Sequence, residues 1–185
     1  MEIAQKLYEG VPLADESPTA LITYMRTDSL RLSDAAISQT RKYLTQNVGA
    51  EYLPTSAIFY SKKDDNSQDA HEAIRPIDIN KTPEEVNRYL SKDQAALYDL
   101  IWRRTVASQM KPAEYAQRQV NIIADLKDQK AQLRATGSTL VFDGFLKIYN
   151  HSEDEEDKKQ SKIPAGLENT QKLNLNNLDT KQHFT

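Results

Sequence analysis

The sequence predicts an α+β protein, with a mostly helical half followed by a half built of antiparallel strands. Three observations support this. Helical spacing and capping signals recur up to about Met110. Lys111-Pro112 then ends the last helical pattern, because proline disfavours a helical conformation at the residue before it. Beyond Pro112, short apolar runs and alternation replace the helical spacing, and the 185 residues suffice for one large domain or two small ones.

The helices of the first half are predicted from their ends. Apolar residues in Ile3–Glu9 have helical spacing, and Gly10 suits the position after a helix. Ser33 or Asp34 can cap a second helix that ends before Gly49. The apolar side of this helix uses Ala36, Ile37, Thr40, Tyr43 and Leu44.

Two capping boxes mark two further helix starts. They are Thr82-Pro83-Glu84-Glu85 and Ser91-Lys92-Asp93-Gln94, in which a hydroxyl and a carboxylate or amide three residues later satisfy free backbone N–H groups. The helix after Ser91 is expected to run to about Met110, with Trp102 as a large apolar anchor.

Strands are predicted where short apolar or alternating runs are bounded by turn residues. Gly137-Ser138 is predicted to be a hairpin turn. The predicted strands are Leu21–Met25, Ala57–Tyr60, Gln119–Leu126, Lys130–Thr136, Thr139–Asn150 and Leu173–Leu178.

A polar acidic stretch interrupts the second half, at about residues 151–166. Its run Glu153-Asp154-Glu155-Glu156-Asp157 has no apolar residue, which favours a solvated loop. An acidic docking segment is the alternative.

Composition narrows the function classes. There is no cysteine, and His71, His151 and His183 are too scattered for a metal motif, so no metal site is predicted in this chain. A net charge of -3 argues against a protein that binds nucleic acid mainly by neutralising many phosphates, because such proteins are usually basic. The sequence has no apolar stretch of membrane-spanning length and no Walker motif, and we expect a cytoplasmic protein without a membrane partner.

Tyr24-Met25-Arg26 is the first candidate for chemistry. On a strand, Tyr24 and Arg26 share one side while Thr23 and Met25 take the other. A phenol with a pKa of about 10 is ionised in about one molecule in a thousand at pH 7, so a nearby guanidinium helps it to act as a nucleophile. The alternative is packing by Tyr24 beside a solvated charge.

His71 and Arg75 form a second candidate pair. Whether their segment is extended or helical, the spacing of four residues puts both side chains on one side. They can bind one ligand, or Arg75 can form a structural ion pair beside a surface histidine.

Seven motifs spread over the chain carry a resemblance to a known family. They are Leu7-Tyr8-Glu9-Gly10, Leu21-Ile22-Thr23-Tyr24-Met25-Arg26-Thr27-Asp28-Ser29, His71-Glu72-Ala73-Ile74-Arg75-Pro76, Leu100-Ile101-Trp102-Arg103-Arg104, Ala107-Ser108-Gln109-Met110, Gly144-Phe145-Leu146 and Gln182-His183-Phe184-Thr185. With these motifs the chain closely resembles the central part of the bacterial type IA DNA topoisomerase family. Met25 and the full His-Glu-Ala-Ile-Arg-Pro form favour topoisomerase I over topoisomerase III and reverse gyrase.

The resemblance implies specific roles at the site. Tyr24 would attack a DNA phosphodiester and become joined to the 5′ phosphate, Arg26 would balance charge, and His71 would hydrogen-bond a phosphate oxygen. Asp28, Ser29, Glu72 and Arg75 are implied DNA-binding or supporting residues. Exchange of one phosphoester for another needs no ATP. The implied activity is strand cleavage, strand passage and religation, which relaxes negative supercoils.

The resemblance also implies the domain plan. Residues 1–110 would be the active-site tyrosine domain with winged-helix-like topology, and residues 111–185 part of a β-rich arch. The chain starts inside a helical pattern, and we expect a fragment that is inactive alone because the acidic domain that binds Mg²⁺ precedes it in the family. Expected partners are single-stranded or negatively supercoiled DNA and the missing domains of a monomeric enzyme. A nucleic-acid-binding module without chemistry, using Arg26, Arg75 and Arg103, is the alternative.

Overall fold

The computed structural model describes residues 1–14, 17–60, 71–125, 129–149, 163 and 166–177. The chain divides into two compact units, one of Met1–Tyr115 with Leu140–Lys158 and one of Ala116–Thr139 with Lys159–Thr185. The predicted α+β class is confirmed, since helices make up much of the first unit and a two-stranded sheet supplies the regular structure described in the second. The winged-helix topology and the assignment of residues 1–110 and 111–185 to a tyrosine domain and an arch stay predictions.

The α-helices after the first begin where the sequence supplies a cap, whereas the first has no side-chain cap. Ser33 accepts from the Ala36 amide, and Ser91 and Gln94 form a complete capping box. The last helix ends at Ala107 rather than near Met110, and a turn follows it. In the described part of the chain the helices are α1 (Glu2–Glu9), α2 (Asp34–Asn47), α3 (Pro83–Val86) and α4 (Lys92–Ala107).

The core of the first unit is built around α4, which packs against α1, α2 and α3. The two large aromatic side chains of α4 are buried, and the polar atom of each still forms a hydrogen bond. The Trp102 indole donates to the Ile79 carbonyl at 2.9 Å, and the Tyr98 hydroxyl donates to the Lys81 carbonyl at 2.7 Å. Burial, with the nearby carboxylates of Asp78 and Glu85, raises the pKa of the Tyr98 phenol. The buried apolar cluster comprises Leu7, Val11, Leu13, Leu21, Ile22, Met25, Leu44, Tyr52, Ile79, Val86, Tyr98, Trp102, Val106 and Met110.

A long hairpin follows the helices, made of β1 (Glu114–Asp125) and β2 (Lys130–Phe142). The short connection between the strands makes the pair antiparallel. The predicted turn at Gly137-Ser138 is wrong, because both residues lie inside β2. A glycine-serine pair is a local turn signal, and here the pairing of β2 with β1 along its length overrides it.

The predicted strand Thr139–Asn150 is also partly wrong. The strand ends at Phe142, and Gly144–Lys147 forms a 3₁₀ turn. Gly144 has φ +52°, and the amide of Phe145 donates to the Lys111 carbonyl at 2.9 Å. This turn fixes the chain after β2 to Lys111, which lies three residues before the hairpin begins.

Three other predicted strands are absent. Leu21–Met25 contributes one isolated bridge, at Ile22, and bends follow it; Ala57–Tyr60 is irregular, and so are residues 173–177, the described part of the last predicted strand. Near Ile58 the side chain of Gln109 takes the place of a partner strand: its amide accepts from the Ile58 N–H at 3.2 Å and donates to the Ile58 carbonyl at 2.8 Å. Leu178 and nearly all of the acidic stretch 151–166 lie outside the described residues.

Candidate active site

The segment that carries Tyr24 pairs with the segment that carries His71 and Arg75. Ile22 and Pro76 form an isolated antiparallel bridge. On either side of it, the Ile77 amide donates to the Leu21 carbonyl at 3.0 Å and the Thr23 amide donates to the Arg75 carbonyl at 2.9 Å. In this pattern the backbone groups of Ile22 and Pro76 point away from each other, so a proline, which has no N–H, fits without losing a hydrogen bond.

Thr23 strengthens this pairing with its side chain. Its hydroxyl donates to the Ala73 carbonyl at 2.8 Å and accepts from the Arg75 amide at 3.0 Å. Thr23 directly precedes Tyr24, and Ala73 lies two residues after His71. These contacts therefore hold the two candidate catalytic segments in a fixed register.

Two rings contact the half-buried ring of Tyr24. The centroid of the His71 ring lies 5.3 Å away with the planes inclined at 33°. The centroid of the Tyr8 ring lies 5.4 Å away with the planes at 70°. The structure thus brings His71 to Tyr24, two residues that the sequence singled out separately.

Arg26 stands apart from this cluster. It is exposed, and within the described part of the chain it forms no hydrogen bond, ion pair or cation–π contact. The bends at Met25 and Arg26 replace the predicted strand, so strand alternation does not place Arg26 beside Tyr24. An exposed guanidinium two residues from the phenol keeps its five donors for an anionic ligand.

Glu72 and Arg75 bind each other. The Arg75 Nε donates to a Glu72 carboxylate oxygen at 2.6 Å, and another guanidinium nitrogen donates to the Pro76 carbonyl at 2.9 Å. Burial acts to raise the pKa of Glu72, but hydrogen bonds from Ser33 and Arg75 and the positive charges of Arg75 and Arg31 outweigh it and lower that pKa. Because Ser33 also caps α2, this network ties the His71 segment to the start of that helix.

Asp28 and Ser29 lie in the connection to α2. The Ser29 amide donates to the Thr27 hydroxyl at 3.0 Å, and the Arg31 amide donates to the Ser29 hydroxyl at 3.2 Å. Asp28 and Ser29 also line one side of a mostly apolar cavity of about 860 Å³, with Leu100 and Ile101 of α4 among its other walls. Both residues are near the site but are not part of the ring cluster.

Two residues of the site carried no functional prediction from the sequence. Tyr8 lies within a matching motif without an assigned role, and Thr23 was placed on the face opposite Tyr24. Tyr8 contacts Tyr24, and Thr23 bonds to Ala73 and Arg75. A local sequence pattern does not reveal contacts between segments that are separated along the chain. Among the residues that the structure describes, no group of three His, Cys, Asp or Glu is arranged to hold a metal ion.

Comparison with known proteins identifies the family. The DNA topoisomerase family model matches residues 1–185, so the chain belongs to the DNA topoisomerase family. This confirms the resemblance drawn from the motifs.

Individual relatives agree. The chain is 43% identical to DNA topoisomerase 1 of Rickettsia felis, over all of this chain and 24% of that protein. It is 42% identical to DNA topoisomerase 1 of Xylella fastidiosa, over all of this chain and 23% of that protein. Full-length topoisomerase I of Thermotoga maritima matches 80% of the chain with a TM-score of 0.63 and 42% identity, and 22% of that chain is covered. The chain thus spans about a quarter of the length of these relatives. Within the described residues, no helix has the length and apolar character needed to cross a membrane.

Proposed function

We propose that this chain is the tyrosine-bearing part of a DNA topoisomerase, and that Tyr24 is the nucleophile. The main support is the contact between the rings of Tyr24 and His71, 5.3 Å apart, in a chain of this family. The backbone pairing holds the two rings together, so a nucleophile, the phenol, and a hydrogen-bond donor, the imidazole, lie in one place.

The proposed reaction is a reversible transesterification. The Tyr24 phenol gives up its proton and its oxygen bonds to phosphorus, the bond from phosphorus to the 3′ oxygen of the neighbouring nucleotide breaks, and the released 3′ oxygen takes up a proton to become a hydroxyl. The strand is left joined through its 5′ phosphate to Tyr24. Attack by the 3′ hydroxyl reverses the step, and passage of a second strand before religation relaxes negative supercoils.

Arg26 and His71 would stabilise the charge on the reacting phosphate. Support for Arg26 comes from its exposure and its lack of a partner among the described residues. His71 is exposed beside the Tyr24 ring, where its imidazole can donate to a phosphate oxygen. Asp28 and Ser29 would contact the strand next to the break, while Glu72 and Arg75 would support the His71 segment through their ion pair.

The complete enzyme is proposed to use Mg²⁺, to act as a monomer in the cytoplasm and to bind single-stranded and negatively supercoiled DNA together with its other domains. The described residues do not fit a magnesium site, because they contain no suitable cluster of carboxylates. No step above therefore passes through the metal.

The alternative of a binding module without chemistry has less support. It relies on Arg26, Arg75 and Arg103 as phosphate contacts. Arg75 is held by Glu72, and Arg103 donates to the Asp99 carboxylate at 2.7 Å and to the Ile148 carbonyl at 3.0 Å. Both arginines would have to give up internal partners to bind phosphate.

A trapping experiment tests the proposal. The complete enzyme containing this chain is incubated with labelled single-stranded DNA and Mg²⁺, denatured, and the covalent adduct is mapped by mass spectrometry. We expect an adduct on Tyr24 that disappears in Tyr24→Phe and persists in Tyr115→Phe, which removes the hydroxyl of a tyrosine that is 45% exposed on the hairpin. An adduct that survives Tyr24→Phe would disprove the assignment.

A further inference from the structure

We infer that Tyr8 is a positioning residue for the Tyr24 nucleophile, an inference that rests on the proposed function. Tyr8 lies in the last turn of α1, and its ring packs against the Tyr24 ring with centroids 5.4 Å apart and planes at 70°. Edge-on ring pairs of this geometry have a preferred orientation, unlike a contact between two aliphatic groups. Tyr8 therefore restricts the orientation of the reacting phenol, and not merely its burial.

The backbone fixes where the Tyr8 ring lies. Leu7, the residue before it, is fully buried, and its carbonyl accepts from the Leu21 amide at 2.8 Å. Leu21 lies in the segment that leads to Tyr24, so this hydrogen bond sets α1 and that segment in register. Tyr8 itself remains 38% exposed. Its ring thus contacts Tyr24 without being part of the buried cluster.

His71 contacts Tyr24 as well, so the phenol is held by two rings from separate segments. The two neighbours differ in what they can do. His71 has a ring nitrogen that can donate to a phosphate, whereas Tyr8 is placed to limit the rotation of the Tyr24 side chain. An enzyme gains rate when the nucleophile is held near its attack geometry, and a misplacement of about 1 Å can cost a hundredfold.

The test compares three substitutions of Tyr8 in the complete enzyme. Tyr8→Phe keeps the ring, Tyr8→Leu keeps apolar bulk and helix propensity without the ring, and Tyr8→Ala removes both. Single-turnover cleavage of a single-stranded oligonucleotide, the Kd for that oligonucleotide and the Tm are measured for each. Tyr115→Ala, at a residue that is 45% exposed on the hairpin, is the matched control for loss of a partly exposed ring.

We expect Tyr8→Ala and Tyr8→Leu to cleave about tenfold more slowly, with the Kd for DNA changed less than about twofold. Religation should slow with cleavage, because the same phenol reacts in both directions. Tyr8→Phe should restore the rate. If Tyr8 had only a structural role, its substitution would lower Tm and raise the Kd for DNA, and Tyr8→Phe and Tyr8→Leu would cleave at the same rate.

Three outcomes would overturn the inference: cleavage by Tyr8→Ala within twofold of the parent, equal rates for Tyr8→Leu and Tyr8→Phe, or a loss confined to DNA affinity. Tyr24→Phe is run in parallel. Survival of the adduct in that variant would refute the proposed function itself, whereas its loss together with normal cleavage by Tyr8→Ala would refute the role of Tyr8 alone.

Discussion

The hydroxyl of Thr23 accepts a 3.0 Å hydrogen bond from the backbone amide of Arg75, across 52 positions of sequence. The same hydroxyl donates to the Ala73 carbonyl at 2.8 Å. One small side chain therefore joins the segment of the candidate nucleophile to the segment of the candidate histidine.

Thr23→Val should destabilise the chain by about 1–3 kcal/mol, because the shape is kept while two partly buried backbone groups lose their partner. Urea unfolding measures the change. Thr45→Val is the control, since the Thr45 hydroxyl also donates to a backbone carbonyl but is exposed on α2. Equal losses of unfolding free energy in the two variants would show that the Thr23 hydrogen bonds stabilise the chain no more than the exposed one of Thr45.

Gln109→Met should cost about 2–4 kcal/mol in unfolding free energy. Gln109 is fully buried, and the thioether has the length of the amide side chain but cannot pair with both the N–H and the carbonyl of Ile58. Gln39→Met, on the exposed side of α2, should change stability by less than about 0.5 kcal/mol. A neutral Gln109→Met would mean that water replaces the amide at Ile58.

Acidification should abolish the difference in stability between the parent chain and Glu72→Gln. The pKa of Glu72 is lowered from 4.5 in the folded chain, so the folded state binds fewer protons than the unfolded state in this range. The stabilisation is therefore present above about pH 4.5 and is lost as the pH falls through the lower folded value. Unfolding free energies measured from pH 7 to pH 3 should converge for the two proteins. Curves that stay parallel would contradict the predicted linkage.

Gly144→Ala should destabilise by about 2–4 kcal/mol. At φ +52° an added Cβ is strained, and it would also overlap with the carbonyl oxygen of Pro112 and lie 2.6 Å from that of Lys111. Gly166→Ala provides the control, because Gly166 has φ +88° with nothing within 4 Å of the added carbon. The control should lose about 1–2 kcal/mol from backbone strain alone. Thermal unfolding compares the two, and equal losses would exclude the close approach as a cause.

Arg26→Ala should lower single-turnover cleavage by the complete enzyme about a hundredfold or more, since it removes the charge that we propose to stabilise the reacting phosphate. The exposed Arg26 has no partner among the described residues, so stability should change by less than about 0.5 kcal/mol. Arg75→Ala should instead lower stability by about 1–3 kcal/mol, because it leaves the partly buried Glu72 carboxylate without its ion pair. An unchanged cleavage rate in Arg26→Ala would show that Arg26 takes no part in the reaction.

Local signals predicted the helices well. Ser33, Thr82 and Ser91 each act within three residues on the backbone N–H groups beside them, and all three cap helices in the structure. The end of α4 was predicted too late, because Pro112 forbids continuation but does not prevent an earlier stop at Ala107.

The strands and the candidate site could not be predicted in the same way, because they depend on contacts between different segments of the chain. Gly137-Ser138 looks like a turn until its pairing with β1 is known, and the apolar run at Ala57–Tyr60 is bonded by a glutamine side chain in place of a strand. Tyr24 and His71 were each identified by motif, whereas their 5.3 Å contact follows from the bridge between Ile22 and Pro76.

That bridge also has a consequence for the backbone polar groups that folding takes out of water. A proline on a strand often marks an exposed edge, where it prevents pairing with other chains. Pro76 and Ile22 are both buried, so at this pair no edge is open to another chain. The amides of two opposed residues in a bridge of this kind point outward, and a buried amide without a partner costs free energy. The nitrogen of Pro76 carries no hydrogen, so its burial next to the candidate active site leaves no donor unpaired.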